Sequence, residues 1–211
     1  MSLLRVLASL LAPALCVACG AHAGAAEPLC AGCRGELSWL AGAVAHAGIT
    51  AWAPLSYEGP ARAVVRALKF RGAVRVADAM ASQIAANAPP SVLDRGRLVP
   101  VPLHPRRLRR RGFNQAERLA TALAARTGLV VSDCLERSGG AATQVGRDRA
   151  ERLLAVRGSI GVRPGAAAPA RAILVDDVVT TGGTLAACAE TLRAEGSEVV
   201  SAIAYARTPG R

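Results

Sequence analysis

Two adjacent carboxylates, Asp176 and Asp177, follow an apolar run, Ile173, Leu174 and Val175, and precede Val178, Val179, Thr180, Thr181, Gly182, Gly183 and Thr184. An unbroken apolar run with β-branched members reads as a central parallel strand covered on both faces. The pattern Leu185, Ala189, Leu192 and Arg193 that comes next reads as a helix. In an open sheet, a helix starting beyond a strand's carboxyl end aims its free amides and positive dipole end at the ligand crevice. Glycines let the main chain close on a phosphate, and threonine hydroxyls add donors. That half of the stretch suits an anion. The acids suit the opposite, either sugar hydroxyls or a hydrated divalent cation, so a sugar phosphate with a metal partner satisfies both halves. The stretch lacks the Gly-Lys-Ser/Thr ending of a Walker loop and the GxGxxG of a dinucleotide turn. An ordinary strand-turn-helix with solvated acids would explain the glycines but not paired acids at a buried strand end.

A second block, VPVPLHPRRLRRRGFNQAERLA, runs from Val99 to Ala120. Leu98 to Val101 reads as a short strand, with Pro100 where no ladder donor is needed. Pro102, Leu103, His104 and Pro105 form a stiff turn at its carboxyl end, followed by five arginines between Arg106 and Arg111. The pattern then predicts a helix from Asn114 to Arg126 with Ala116, Leu119, Ala120 and Leu123 inward. Guanidinium groups after a fixed turn make a reasonable pyrophosphate site. The alternatives are a nucleic-acid patch with Phe113 as its stacking residue, or a solvated charge run. Upstream, Pro60 opens a helix carrying Val64, Val65 and Leu68 on one side. It leads into Lys69-Phe70-Arg71-Gly72, where Lys69 and Arg71 are either phosphate contacts or solvated cations. Further helices are expected over Glu36–Ala45 and Val74–Ala86.

Cys16, Cys19, Cys30 and Cys33 form two CxxC knuckles. Knuckles tilt thiolates toward one tetrahedral zinc, and a closed four-thiolate shell stabilises folding without doing chemistry. Disulfides are the competing account and require an oxidising compartment. His22 is a spare ligand or an exposed loop residue. Cys134 and Cys188 have no partner at ligand spacing and read as buried small apolar side chains.

The chain of 211 residues suits one main domain with an appendage, and 52% hydrophobic residues exclude a disordered chain. We place the boundary between an amino-terminal helix and cysteine segment, residues 1–50, and the main domain, residues 51–211. With Lys+Arg 26 against Asp+Glu 15, the net charge is +11 and all but one of the cations is arginine. That balance favours polyanions, unless it only reflects a base-composition bias toward arginine codons. Residues Met1 to Leu15 are apolar with one basic residue, Arg5, and contain Pro13. The run is too short to span a bilayer. It reads either as a packing helix of a cytoplasmic protein or as a secretory signal cleaved near Ala21-His22-Ala23, which would discard half the cysteine quartet.

The stretch VDDVVTTGGT resembles the phosphoribosyl pyrophosphate (PRPP) loop of type I phosphoribosyltransferases. Together with the CxxC knuckles, the Tyr57-Glu58-Gly59-Pro60 turn leading to LKFRG, and VPVPLHPRR with RGFNQA, it is similar to the ComF family of competence-associated phosphoribosyltransferase-like proteins. The resemblance implies an α/β fold, a type I phosphoribosyltransferase-like parallel sheet flanked by helices, with a zinc-binding amino-terminal segment. It implies phosphoribosyl transfer from magnesium-bound PRPP to a nitrogen acceptor, and in some members roles in DNA uptake involving single-stranded DNA. By that resemblance Asp176 and Asp177 hold the ribose hydroxyls, and Thr180 to Thr184 wrap the 5′-phosphate beside Val178 and Val179. The pyrophosphate would lie by Pro102, Leu103, His104 and Arg106, with Lys69 nearby. The segment from Arg137 to Arg157 corresponds to a hood over PRPP, to which Gln144 and Arg152 contribute. Ala155 and Ile160 stand where the family has an asparagine and an aromatic. With no cysteine between Cys33 and Cys134, a second zinc is not expected.

Overall fold

The computed structural model describes residues 15–24, 27–46, 48–70, 74–93, 95–138 and 158–209. In chain order these form α1 (Ala31–Gly35), β1 (Val44–His46), β2 (Ile49–Trp52), β3 (Leu55–Ser56), α2 (Gly59–Leu68), α3 (Val74–Asn87), α4 (Pro90–Leu93), β4 (Arg97–Pro100), α5 (Pro105–Arg111) and α6 (Gln115–Thr127). There follow β5 (Val130–Val131), β6 (Leu135–Arg137), β7 (Ile160–Val162), β8 (Arg171–Val179), α7 (Gly183–Ala194) and β9 (Val199–Arg207). The main sheet has the order β1-β2-β9-β8-β4-β5, with β3 also on β9. Only the β1–β2 pair within it is antiparallel. β6 and β7 form a separate antiparallel ribbon.

Alternation along β8 divides the core. Ile173 and Val175 pack with Val64, Val65 and Leu68 of α2, Met80 and Ile84 of α3, and Leu119 and Leu123 of α6. Ala172 and Leu174 pack on the opposite face with Leu185, Cys188 and Leu192 of α7. Between the exposed Arg171 and Asp176 the strand therefore carries only buried apolar residues, as its apolar run demands. Helix α6 begins as expected because the Asn114 side chain accepts from Ala116 N at 3.1 Å and donates to Val101 O at 3.0 Å. That second bond ties the helix start to the end of β4. Among the described residues no helix is long and apolar enough to cross a membrane.

Two expectations need revision. No helix spans Glu36–Ala45: Ser56 N donates to Ser38 O at 2.9 Å, Leu40 N donates to Pro54 O at 2.8 Å, and Val44–His46 is a strand. Pairing with the chain around β3 thus outweighs the helix propensity of the alanines. The acids do not lie past the end of β8, which runs on to Val179 against β9. The five arginines that follow the turn lie on the short helix α5. Strand β2 crosses the boundary expected between residues 50 and 51. The cysteine segment contributes Cys16, Leu29, Cys33 and Leu37 to the same core as α2 and α3.

Candidate functional site

The site exists because two neighbouring strands end at different places. β4 pairs with β8 only as far as Pro100 opposite Val175, closed by Val101 N to Val175 O at 3.0 Å. From Asp176 onward β8 has β9 on one side and an open crevice on the other. Pro100 fits because adjacent amides alternate in direction. With Val101 N turned to β8, the missing donor of Pro100 falls on the β5 side, where pairing has already stopped at Leu98.

Strand alternation sends the two acids to opposite faces. Asp177 continues the face covered by α2, and Lys69, which caps the carboxyl end of that helix, brings Nζ to 3.1 Å from Asp177 Oδ2. Charge holds this pair, since Oδ2 is buried and has no aligned hydrogen-bond donor. Asp176 continues the face covered by α7, and its Oδ1 accepts from Asp177 N at 2.8 Å. Burial, and then the charge of Asp177 beside it, push the Asp176 carboxyl well above its ordinary range.

Beyond Val179 the chain turns through Thr180 and Thr181 to Gly182, whose φ of +64° starts α7 in a conformation that a side chain disfavours. The first helical bond is Ala186 N to Gly182 O at 2.8 Å, and no side chain caps the helix. The amides of its first turn are left for an outside acceptor. Asp176 and the continuous stretch Val178 to Leu185 line a cradle of about 50 Å³. A larger cleft of about 140 Å³ is lined by Lys69, Val101, Pro102, Leu103, Arg107, Arg111, Gln115, Arg137, Asp176, Asp177 and Thr184. Asp176 and Thr184 belong to both, so the cradle opens into the cleft.

Of the residues singled out in the sequence, Lys69, Pro102, Leu103, Asp176, Asp177 and the stretch Val178–Thr184 meet here. His104 and Arg106 line neither space. His104 caps α5, its Nδ1 accepting from Arg106 N at 3.2 Å. Burial and then the charges of Arg137, Arg106, Arg107 and Arg109 lower its pKa, which favours the neutral ring that can accept this bond. Gln144 and Arg152, like Ala155 and Arg71, lie outside the described residues.

The cleft's cationic wall consists of residues not singled out individually: Arg107, Arg111 and Arg137. Arg107 and Arg111 are four residues apart on α5, the spacing that puts side chains on one helix face, and Gln115 opens α6 beside them. Arg111 also donates from Nη1 to Gln115 Oε1. Arg106, Arg109 and Arg110, exposed like Arg107, line neither space. Phe113 has one ring face covered by the Arg118 guanidinium, 3.8 Å from its centroid.

In the amino-terminal segment, one sulfur from each of Cys16, Cys19, Cys30 and Cys33 falls in a group within 4.8 Å of one another. All six cysteines are free thiols, and Cys19 Sγ lies 3.7 Å from Cys30 Sγ. A metal held about 2.3 Å from four tetrahedral sulfurs would separate them by about 3.8 Å, so the cluster fits an ion such as zinc. Burial pushes the Cys16 thiol up, but main-chain hydrogen bonds involving Cys30, Cys19 and Ala18 outweigh it and bring it to about 6. Cys33 is pushed up, by its hydrogen bond with Cys19 and then by burial. His22 is exposed and outside the cluster. Cys134 and Cys188 are buried, and burial raises both thiols, as for inert core residues. Comparison with protein-family models and with curated proteins finds no match to this chain.

Proposed function

We propose that this cleft binds PRPP and that the protein is a phosphoribosyltransferase of the ComF type, transferring the phosphoribosyl group to a nitrogen acceptor. The observation that carries the reading is the order of charge along one continuous space: free amides and hydroxyls at Thr180–Thr184, then Asp176 and Asp177, then Arg107 and Arg111. A 5′-phosphate, a ribose diol and a pyrophosphate present the complementary groups in the same order.

In this reading the α7 amides and dipole hold the 5′-phosphate. The two carboxylates accept from the ribose hydroxyls and fix the anomeric carbon toward the arginine wall. The acceptor nitrogen's lone pair forms the new C–N bond while the C–O bond breaks and its electron pair leaves on pyrophosphate. The guanidinium groups favour that developing charge, and the acceptor's proton passes to solvent. Asp176, which lines both the cradle and the cleft, is the carboxylate that would hold a hydrated magnesium ion, since Asp177 Oδ2 already faces Lys69 Nζ at 3.1 Å. When bound, magnesium supplies neutralisation of the diphosphate charge.

Calorimetric titration with PRPP, with and without magnesium, tests the reading. Binding that disappears in folded Asp176→Asn with Asp177→Asn supports it, and equal binding by that variant rejects it. A second reading rests on the exposed Arg106, Arg109 and Arg110, which leave the cleft and present a cationic helix face. In it the protein binds PRPP without turnover, associates with single-stranded DNA and serves the DNA-uptake machinery. Tight binding of labelled single strands with a steep salt dependence favours that alternative; no binding removes it.

A further inference from the structure

Phe70 is 70% exposed, more than any other large apolar residue among those described, in a chain with two phenylalanines. The other, Phe113, has a ring face covered by Arg118, whereas no guanidinium covers Phe70 among the described residues. Its place is set by the end of α2. Lys69 N donates to Arg66 O at 3.1 Å and Phe70 N to Ala67 O at 3.0 Å, so the winding of α2 continues to Phe70, about one turn beyond Arg66. Lys69, next to Phe70 in the chain, lines the cleft and brings Nζ to 3.1 Å from Asp177 Oδ2. An exposed phenyl ring thus borders the cleft where it is cheapest to cover by a ligand.

For the displacement proposed at this site, the acceptor nitrogen must reach the anomeric carbon from the side away from the C–O bond that breaks, and so away from the arginine wall. Helix α5 and strand β6 carry that wall, the turn Val101–Leu103 leads into α5, Gln115 is bonded to Arg111, and Val178–Leu185 form the cradle. The end of α2 is the remaining border. No aromatic side chain lines the cradle or the cleft, so a planar acceptor has Phe70 as its platform. Arg66 adds a charge beside the ring. It is exposed, α2 contains no acidic residue, and among the described residues no carboxylate lies within ion-pair distance of it. Its planar guanidinium suits a carboxylate or similar oxyanion.

We propose that Phe70 and Arg66 form the acceptor subsite, and that the acceptor is a planar nitrogen heterocycle with an acidic substituent, its ring on Phe70 and its acid on Arg66. The inference rests on the cleft being a PRPP site and names the class of acceptor that such a site would use.

Nucleotides shaped like the product separate the two contacts, because their 5′-phosphate anchors them in the cradle. The test is calorimetry with ribose 5-phosphate, uridine 5′-monophosphate and orotidine 5′-monophosphate, which add in turn a ring and a ring carboxylate, on the parent, Phe70→Ala, Arg66→Gln and Arg62→Gln. All three side chains are exposed, so their replacement leaves the core intact. In the parent the ring is expected to strengthen binding about tenfold over ribose 5-phosphate, as base stacking on an aromatic does. The carboxylate should add about threefold more, the scale of an exposed ion pair. Phe70→Ala should lose the first gain and Arg66→Gln only the second, with ribose 5-phosphate changed less than about twofold in either. Arg62→Gln, a turn farther from Phe70, should match the parent. A parent that binds ribose 5-phosphate but gains nothing from the ring, or nothing from the carboxylate, overturns the inference and leaves the PRPP reading standing. So do gains that survive in Phe70→Ala or Arg66→Gln. A parent that binds none of the three probes overturns both readings.

Discussion

Lys69 Nζ and Asp177 Oδ2 approach to 3.1 Å across the mouth of the crevice, the lysine side chain 34% exposed and the carboxylate 8%. The asymmetry decides what each substitution does. Lys69→Met leaves a buried carboxylate without its cation and should cost about 1–2 kcal/mol, below the figure for a fully buried pair because water reaches the lysine. Adding Asp177→Asn removes the stranded charge, so the double variant should be more stable than Lys69→Met alone. Urea unfolding of the parent, both single variants and the double variant measures the coupling; additive effects would show that the pair is not energetically linked.

Asp176 makes stability depend on pH in a definite direction. Its folded-state pKa is raised by burial and by Asp177 above the ordinary 3.8. Below that value the carboxyl is neutral in both folded and unfolded chains. As pH rises past it, the unfolded chain releases the proton first, so stability falls until the folded-state pKa is passed. Asp176→Asn avoids that loss, and without ligand the variant should be more stable than the parent at neutral pH. Denaturant midpoints from about pH 4 to about pH 8 should diverge progressively, and parallel curves would refute the assignment.

The central strand, the turn and α7 were legible because their signals are local: an apolar run, a glycine cluster and a helical period. The cysteine cluster was legible for the same reason, two short knuckles in one segment. The cationic wall was not. A run of arginines carries no mark of which members line the cleft until the helix Pro105–Arg111 is known, and then Arg107 and Arg111 separate from Arg106, Arg109 and Arg110. Arg137 is delivered to the cleft by a strand pairing with Ile160, a tertiary fact with no local signature. The expected helix over Glu36–Ala45 failed for a related reason, its backbone donors and acceptors being used by the segment around β3.

Gly182 separates a conformational role from a binding role. At φ +64° it begins α7, and an alanine there should cost about 1–2 kcal/mol from steric strain alone. Gly128, at φ +74° beyond α6, has the same handedness with nothing within 4 Å of an added Cβ. Gly128→Ala should cost a similar amount. Only Gly182→Ala should also weaken ribose 5-phosphate, because it alone lies in the cradle. Equal phosphate affinity in the two variants, at matched thermal stability, would take the cradle amides out of the site.

The cysteine cluster shares its core with α2, the helix that carries Lys69 to the crevice. Cys16 and Cys33 pack in one cluster with Val64, Val65 and Leu68. A metal bound only by the folded chain, at a thousandfold its dissociation constant, stabilises by about 4 kcal/mol. For a domain of this size that corresponds to a Tm difference of about 8–16 °C. Chelation, or Cys33→Ser, should therefore lower Tm by roughly that amount, and metal analysis of the untreated protein should find one zinc per chain. Because Lys69 is the cap of α2, PRPP affinity should fall along with the metal at temperatures where the protein remains folded. A chelated protein with unchanged Tm would show that the four thiols do not hold a structural ion. One with lower Tm but unchanged PRPP affinity would confine the metal's effect to the amino-terminal segment.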